Sequence, residues 1–248
     1  MKKNALMILG ILFIIFGTLK SENNPNYYEQ GTYLNVIATS GLNMRIEPSG
    51  SSLTLKTIPF GAQVKVLSSD YECLETEDIG WVTGAWIKIE FEGDQGYVFD
   101  GFLSPLSAPE KKNSVEYEES FIILIHNWVQ DNYKSTLAPD TISSETSYTI
   151  RTDYGNELRY EQQLYQQGYR SRLFFSNVRV MDIYHLLKGF CNDSDNIEAF
   201  ESQSLFIKNK NGHLNSIKVY NDNYIEIKQL KNGLIRLTIN ELSSDFGC

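Results

Sequence analysis

Apolar and polar residues alternate most densely between Leu34 and Leu103. Leu34, Val36 and Ala38 form one such run, and Leu42, Met44 and Ile46, alternating with Asn43 and Arg45, form the next. A run restarts at Leu53 and Leu55, another holds Val64 and Val66, and Trp86 to Phe91 and Tyr97 to Phe99 complete the set. A period of two places every second side chain on one face, the signature of a half-buried strand. The breaks fall at Ser40-Gly41, Pro48 to Ser52, Pro59-Phe60-Gly61 and Gly93 to Gly96, all rich in turn formers. Short strands at such close spacing predict a small β-barrel, which curls closed and so leaves few open edges. The acidic run Asp70 to Gly80 interrupts the pattern and predicts a loop around a short strand at Tyr71 to Leu74.

The pattern changes after residue 104. Pro105 and Pro109 among small polar residues predict a linker over 105–113. Phe121, Leu124, Ile125 and Trp128 then recur at helical spacing, so a helix opens the second region. Residues 134–146 read as loop, and Ser147 to Tyr154 and Tyr169 to Phe175 as strands. Glu157 to Gln163 continues a hairpin, although Tyr160 to Gln167 fits a helix equally well. Arg179 to Phe190 is a second helix with Val180, Ile183, Tyr184 and Leu187 on one face. Asn192 to Asn196 is a polar loop that lacks the glycine and distal glutamate of a calcium loop. Four alternating runs follow, Ser204–Asn209, Leu214–Tyr220, Tyr224–Leu230 and Leu234–Asn240, with Asn-Gly turns between two of the pairs. The fold class expected is mainly β and multi-domain. A small β-barrel over 33–104 precedes an α+β domain over 114–248 that ends in an antiparallel meander.

The first 20 residues start with Lys2 and Lys3, and Ala5 to Gly17 is an unbroken apolar run. Thirteen residues suit the core of an export signal and are short for a membrane span. A signal peptide over 1–20, a polar spacer over 21–32 and an extracytoplasmic (periplasmic or secreted) mature chain are expected, the alternative being an uncleaved N-terminal anchor. No membrane span is expected in the mature chain. The formal net charge is −9. Residues 21–112 alone carry six Lys and Arg against 13 Asp and Glu. Such a balance repels phosphate backbones and disfavours nucleic acid as a partner.

Cys73, Cys191 and Cys248 form no CxxC pair, and the three histidines His126, His185 and His213 have no metal-ligand spacing. No metal or cofactor is therefore expected. In an exported chain Cys191 and Cys248 are candidates for a disulfide, against three unpaired thiols as the alternative. A Gly-x-Ser-x-Gly elbow and a phosphate-cradling glycine loop are both absent from the sequence, so catalysis is not expected.

Leu42-Asn-Met-Arg-Ile-Glu-Pro-Ser, Ile58-Pro-Phe-Gly-Ala-Gln-Val-Lys-Val-Leu and Trp86-Ile-Lys-Ile with Gly96-Tyr-Val-Phe-Asp-Gly-Phe-Leu-Ser occur in this order. Together they resemble bacterial SH3-type (SH3b) domains. The acidic insert from Cys73 to Thr83 departs from that pattern. The resemblance implies binding of cell-wall peptide or glycan, or contact with an envelope protein. Candidate ligand-binding residues are Tyr71, Trp81 and Trp86, aromatic rings near loop acids that can stack on a sugar or clamp a peptide. An exported binding or scaffolding protein is the leading expectation. Its alternatives are an envelope hydrolase with its site in 113–248 and an inhibitor or immunity-like protein.

Overall fold

The computed structural model describes residues 28–68, 76–110, 120–135, 137–166, 168–191, 193–220 and 224–242. The expected export signal, Tyr71, Cys73 and Cys248 lie outside them, and with Cys248 the proposed disulfide. Among the described residues, no helix is long and apolar enough to cross a membrane.

The first region is built from β1 (Tyr33–Val36), β2 (Leu42–Arg45), β3 (Thr54–Ile58), β4 (Gln63–Val66), β5 (Glu77–Ile79), β6 (Val82–Gly84), β7 (Trp86–Phe91), β8 (Asp94–Phe99) and β9 (Leu103–Ser104). Seven of these form one sheet in the order β3-β2-β8-β7-β4-β1-β9, and β5 and β6 pair separately as a hairpin. Leu34, Val36, Met44, Ile58, Val64, Val66, Ile89 and Val98 pack into its core. Leu53 and Leu55 are not inward residues, being 70% and 47% exposed. The β2–β3 register shifts between Met44 and Arg45, and Ile58 takes the inward position. Trp81 does not sit in irregular loop either: it follows Gly80, at φ +64, in the tight turn of the β5–β6 hairpin.

The second region contains α1 (Phe121–Asn132), β10 (Asp140–Ser143), β11 (Ser147–Tyr154), β12 (Leu158–Tyr165), β13 (Gly168–Phe175), α2 (Val180–Gly189), α3 (Ser194–Ser202), β14 (Ser204–Lys208), β15 (Leu214–Tyr220), β16 (Tyr224–Gln229) and β17 (Ile235–Leu242). Its strands form one antiparallel sheet, β10-β11-β12-β13-β17-β16-β15-β14. The expected meander is thus one half of a larger sheet. The ambiguous stretch at 160–167 is strand as far as Tyr165, not helix. Two elements were not foreseen. Residues 134–146 include β10, and the polar run after Asn192 opens α3, whose N-cap Asp193 accepts the Asn196 N–H at 2.8 Å. Helix α1 lies against β17, and α2 against β15 and β16, and Trp128, Leu187 and Phe200 of the three helices join one core with Ile217, Ile227 and Leu237, so the helices share one sheet face.

Both regions share a hydrophobic core. Val82, Trp86, Phe99 and Leu106 join Trp128, Phe175, Met181, Leu187 and the inner face of the second sheet. Alternation explains how: Ile87 and Val98 face the first region's own core, while their neighbours Trp86 and Phe99 face out of it and are buried by the second region. Residues 105–110, expected as linker, are packed in place. Trp128 Nε1 donates to the Ser107 carbonyl at 3.1 Å, and Pro109 lies against Gly189 so closely that a Cβ there would meet its Cγ at 2.8 Å.

Candidate functional site

A cleft of about 610 Å³ opens where the two regions meet. One wall comes from the first region: the Ala38–Asn43 turn, Arg45, and Ile79, Trp81, Val82 and Trp86. The other comes from α2, α3 and β14. Met181, Tyr184, His185 and Lys188 recur at helical spacing and bring one face of α2 to the cleft. Glu201 and Phe206 add the contribution of α3 and β14.

Trp81 is the exposed aromatic of this site, at 50%. One indole face is already occupied, stacked on Phe206 with centroids 5.0 Å apart and planes 5° from parallel, and Lys208 Nζ lies 5.5 Å from the ring. Trp86, the second expected aromatic, is instead a wall residue and only 8% exposed. Its Nε1 donates to Glu77 Oε1 at 2.7 Å, its ring tilts against Phe99 at 5.9 Å, and the Arg45 guanidinium lies 5.8 Å away. Trp81 and Trp86 line the same cleft; Tyr71 is outside the described residues.

Polar groups are set among these rings. Lys188 pairs with Glu201, and Ser40, Asn43 and Arg45 belong to the opposite wall. His185 is 5% exposed and flanked by the rings of Phe102 and Tyr184, with centroids 5.6 and 5.7 Å away. Neither of its ring nitrogens has a hydrogen-bond partner among the described residues. Burial, assisted by the charges of Lys188 and Arg179, pushes its pKa down to about 3, so the imidazole is neutral.

Beneath the cleft, the regions are clamped by Arg179 at the start of α2. Its guanidinium donates to the Leu103 carbonyl and, at 3.3 Å, to the Asp100 carbonyl of the first region. It also pairs with Asp182 at 2.7 Å. Asp100 Oδ1 accepts the Ala85 N–H at 2.7 Å. Burial raises the Asp100 carboxyl to about 6, against the opposing pull of Arg179.

Of the residues lining the cleft, sequence reasoning named Trp81 and Trp86 as candidates and did not name Phe206, His185, Lys188 or Glu201, nor Arg179 beneath it. The polar flank of α2 was visible as His185 and Lys188 beside the apolar stripe. Phe206 carried no signal, because its partner lies 125 residues earlier in the chain and in the other region. Among the described residues, no group of three or more His, Cys, Asp or Glu is placed to hold a metal ion. Cys191 is half-buried, and burial raises its thiol to about 11, which keeps it a poor nucleophile.

Residues 40–104 match the bacterial SH3 domain family, so the first region carries a module of that type. No curated protein and no solved structure matches the chain.

Proposed function

We propose that the protein acts by binding, and that the cleft between its SH3-type module and the α2–α3–β14 edge holds a short peptide or glycan of the bacterial cell wall. The observation that carries this reading is Trp81. A large aromatic side chain is held half-exposed and rigid against Phe206, at a cleft lined by further rings and by hydrogen-bonding groups. Aromatic platforms with a few placed polar groups are what sugar rings and short peptides require. The family match supports a cell-wall binding module, and the basic start with its short apolar run supports export to the compartment where wall material lies.

The test is co-sedimentation of the purified mature chain with isolated sacculi. Retention that falls at least fivefold for Trp81→Ala, with no soluble muropeptides released, is the expected result. Failure to sediment overturns wall binding, and muropeptide release overturns the non-catalytic reading.

A further inference from the structure

The eight-stranded sheet has a second face. Ile217, Val219, Ile225, Ile227, Leu237, Ile239 and Leu173 point to the helices and are buried. The residues between them in sequence point the other way, and the buried apolar residues of the described helices all belong to the core on the first face. Strand register lines these outward residues up in rows across β11, β12, β13, β17, β16 and β15. One row sets Arg151, Glu161, Arg172, Thr238, Glu226 and Lys218 side by side. The next holds Arg159, Arg236 and Lys228, with Asp153 at its end and Phe174 between. A third contains Arg170 beside Asn240 and Gln163, and ends in Tyr224 and Tyr220.

Five of the chain's seven arginines therefore share one face. With Lys218 and Lys228 there are seven cations on these rows against the four carboxylates of Asp140, which lies beside Arg151 on β10, Asp153, Glu161 and Glu226, in a chain of net charge −9. Glu161 lies 3.7, 3.3 and 4.0 Å from Arg151, Arg159 and Arg172, so a single carboxylate is shared by three guanidiniums. Hydrogen bonding is left incomplete too. The Nε atoms of Arg151, Arg159 and Arg236, together with Gln163 Oε1 and Thr238 Oγ1, are shut off from solvent without a hydrogen-bond partner among the described residues. Crowding is felt at Arg172, whose pKa is lowered first by burial and then by Arg170 and Arg236. Arg236 also donates to Glu226 at 2.8 Å and Arg170 to Asn240 at 2.5 Å, so each guanidinium has one partner and keeps further donors of its fork, the groups that carboxylates bind bidentately.

The shape narrows the ligand. Six strands at about 4.8 Å spacing make a strip about 24 Å long, with rows about 7 Å apart, which suits an extended polymer better than a single anion. Rings are interleaved with the cations: Arg159 lies 4.0 Å over Phe174, Arg170 5.3 Å from Tyr165, and Lys218 5.9 Å from Tyr224, with Tyr220 beside it at 5.8 Å. Aromatic faces, amides and arginines together fit charged sugars. The exposed large apolar side chains of this face, Ile142, Leu205 and Tyr220, stand at the two ends of its rows rather than among the arginines, which does not suit entry into a membrane. The acidity of the whole chain works against nucleic acid. We propose that this open sheet face is a second binding surface, independent of the cleft, for an acidic polysaccharide with carboxylates along its chain.

The test measures binding of the full mature chain to polygalacturonate by biolayer interferometry in 50 and 300 mM NaCl, with neutral dextran as control. Binding to polygalacturonate alone, at least tenfold weaker in the higher salt, is expected. Arg172→Gln with Arg236→Gln lowers affinity at least tenfold, while Trp81→Ala leaves it unchanged. Should the arginine pair fail to fold by circular dichroism, Lys218→Glu with Lys228→Glu, at the less crowded end, gives the same loss. No binding in 50 mM NaCl, or binding that these substitutions do not move, overturns the proposal. Tighter binding to polyphosphate, single-stranded DNA or anionic vesicles overturns the assigned ligand.

Discussion

The indole of Trp81 lies flat on the ring of Phe206, 5.0 Å away and 5° from parallel, and so ties the β5–β6 hairpin of the SH3-type module to β14 of the second sheet. An exposed aromatic on a hairpin turn is ordinarily free to change rotamer. Here one face is fixed, which lowers the entropy that a ligand must remove when it stacks on the indole. Phe206→Ala leaves Trp81 in place but unsupported. Wall retention is expected to drop about threefold with a loss of stability of about 2 kcal/mol, since the ring also packs on Tyr184, whereas Trp81→Phe keeps most of both. Co-sedimentation and urea denaturation of the variants check this, and a Phe206→Ala protein with full retention sinks the role given to the stack.

Arg179 is the deeper tie. Its side chain is 11% exposed, and that of its partner Asp182 is 1% exposed. Arg179→Met removes the donors to the Leu103 and Asp100 carbonyls and leaves Asp182 as a buried carboxylate without its counter-charge. Breaking one side of such a pair costs about 3–5 kcal/mol. The shared core predicts that the unsubstituted protein unfolds in one transition, and that the two regions separate into two once the clamp is gone. Urea melts followed by tryptophan fluorescence and by circular dichroism should coincide before the substitution and diverge after it. Adding Asp182→Asn to Arg179→Met restores part of the loss, because the orphaned charge goes with it.

Two buried groups give stability opposite pH slopes. His185 has its folded pKa lowered from 6.5 to about 3, so the unfolded chain binds the proton first. Its contribution is full above pH 6.5 and is lost as pH falls toward 3. Asp100 has its folded pKa raised from 3.8 to about 6, so the folded chain binds the proton first. Its contribution is full below pH 3.8 and is lost as pH rises through 6. The two oppose each other between about pH 4 and 6. In the parent the two slopes nearly cancel over this range, whereas in Asp100→Asn stability is expected to rise steadily from pH 4 to 6.5. His185→Gln leaves the Asp100 slope alone, and stability falls over the same range. Thermal melts at constant ionic strength check both. An Asp100→Asn profile parallel to that of the parent shows that this carboxyl does not titrate in the window.

What the sequence disclosed depended on whether a signal was local. Strands β1, β2, β4, β7 and the last four show as period-two runs, because one side of each faces a core and the other does not. Strand β10 is exposed at every position, so it carries no alternation, and α3 buries only Phe200. Trp86 and Phe99 alternate to the outside of their module, and nothing local says that a second region covers them. The five sheet arginines are spread from Arg151 to Arg236, and only register gathers them. Of the candidate site, Trp81 could be picked out as an aromatic among loop acids, but the cleft it borders is made by contacts between regions far apart in the chain.

Gly84 tests how tightly the module is fitted to the cleft. It ends β6 beside the turn that carries Asp100 and Gly101. A Cβ at Gly84 would come within 2.6 Å of both Asp100 Oδ1 and the Gly101 nitrogen, and within 2.8 Å of Phe99 Cζ. None of these atoms is the free end of a flexible chain: the carboxylate is held by the Ala85 N–H, the nitrogen is backbone, and the ring is 1% exposed. Gly84→Ala must therefore displace the Asp100 turn, at a cost of about 1–3 kcal/mol. The displacement also reaches Phe99 and Phe102, which line the cleft. Gly50 is the matched control. A Cβ there meets only Trp86 Cζ2, at 3.8 Å, which is ordinary contact. In urea denaturation Gly84→Ala is expected to move the midpoint down with the slope unchanged, and to weaken wall retention along with it. Gly50→Ala should leave both where they are, and equal shifts for the two would mean that the turn is looser than its packing implies.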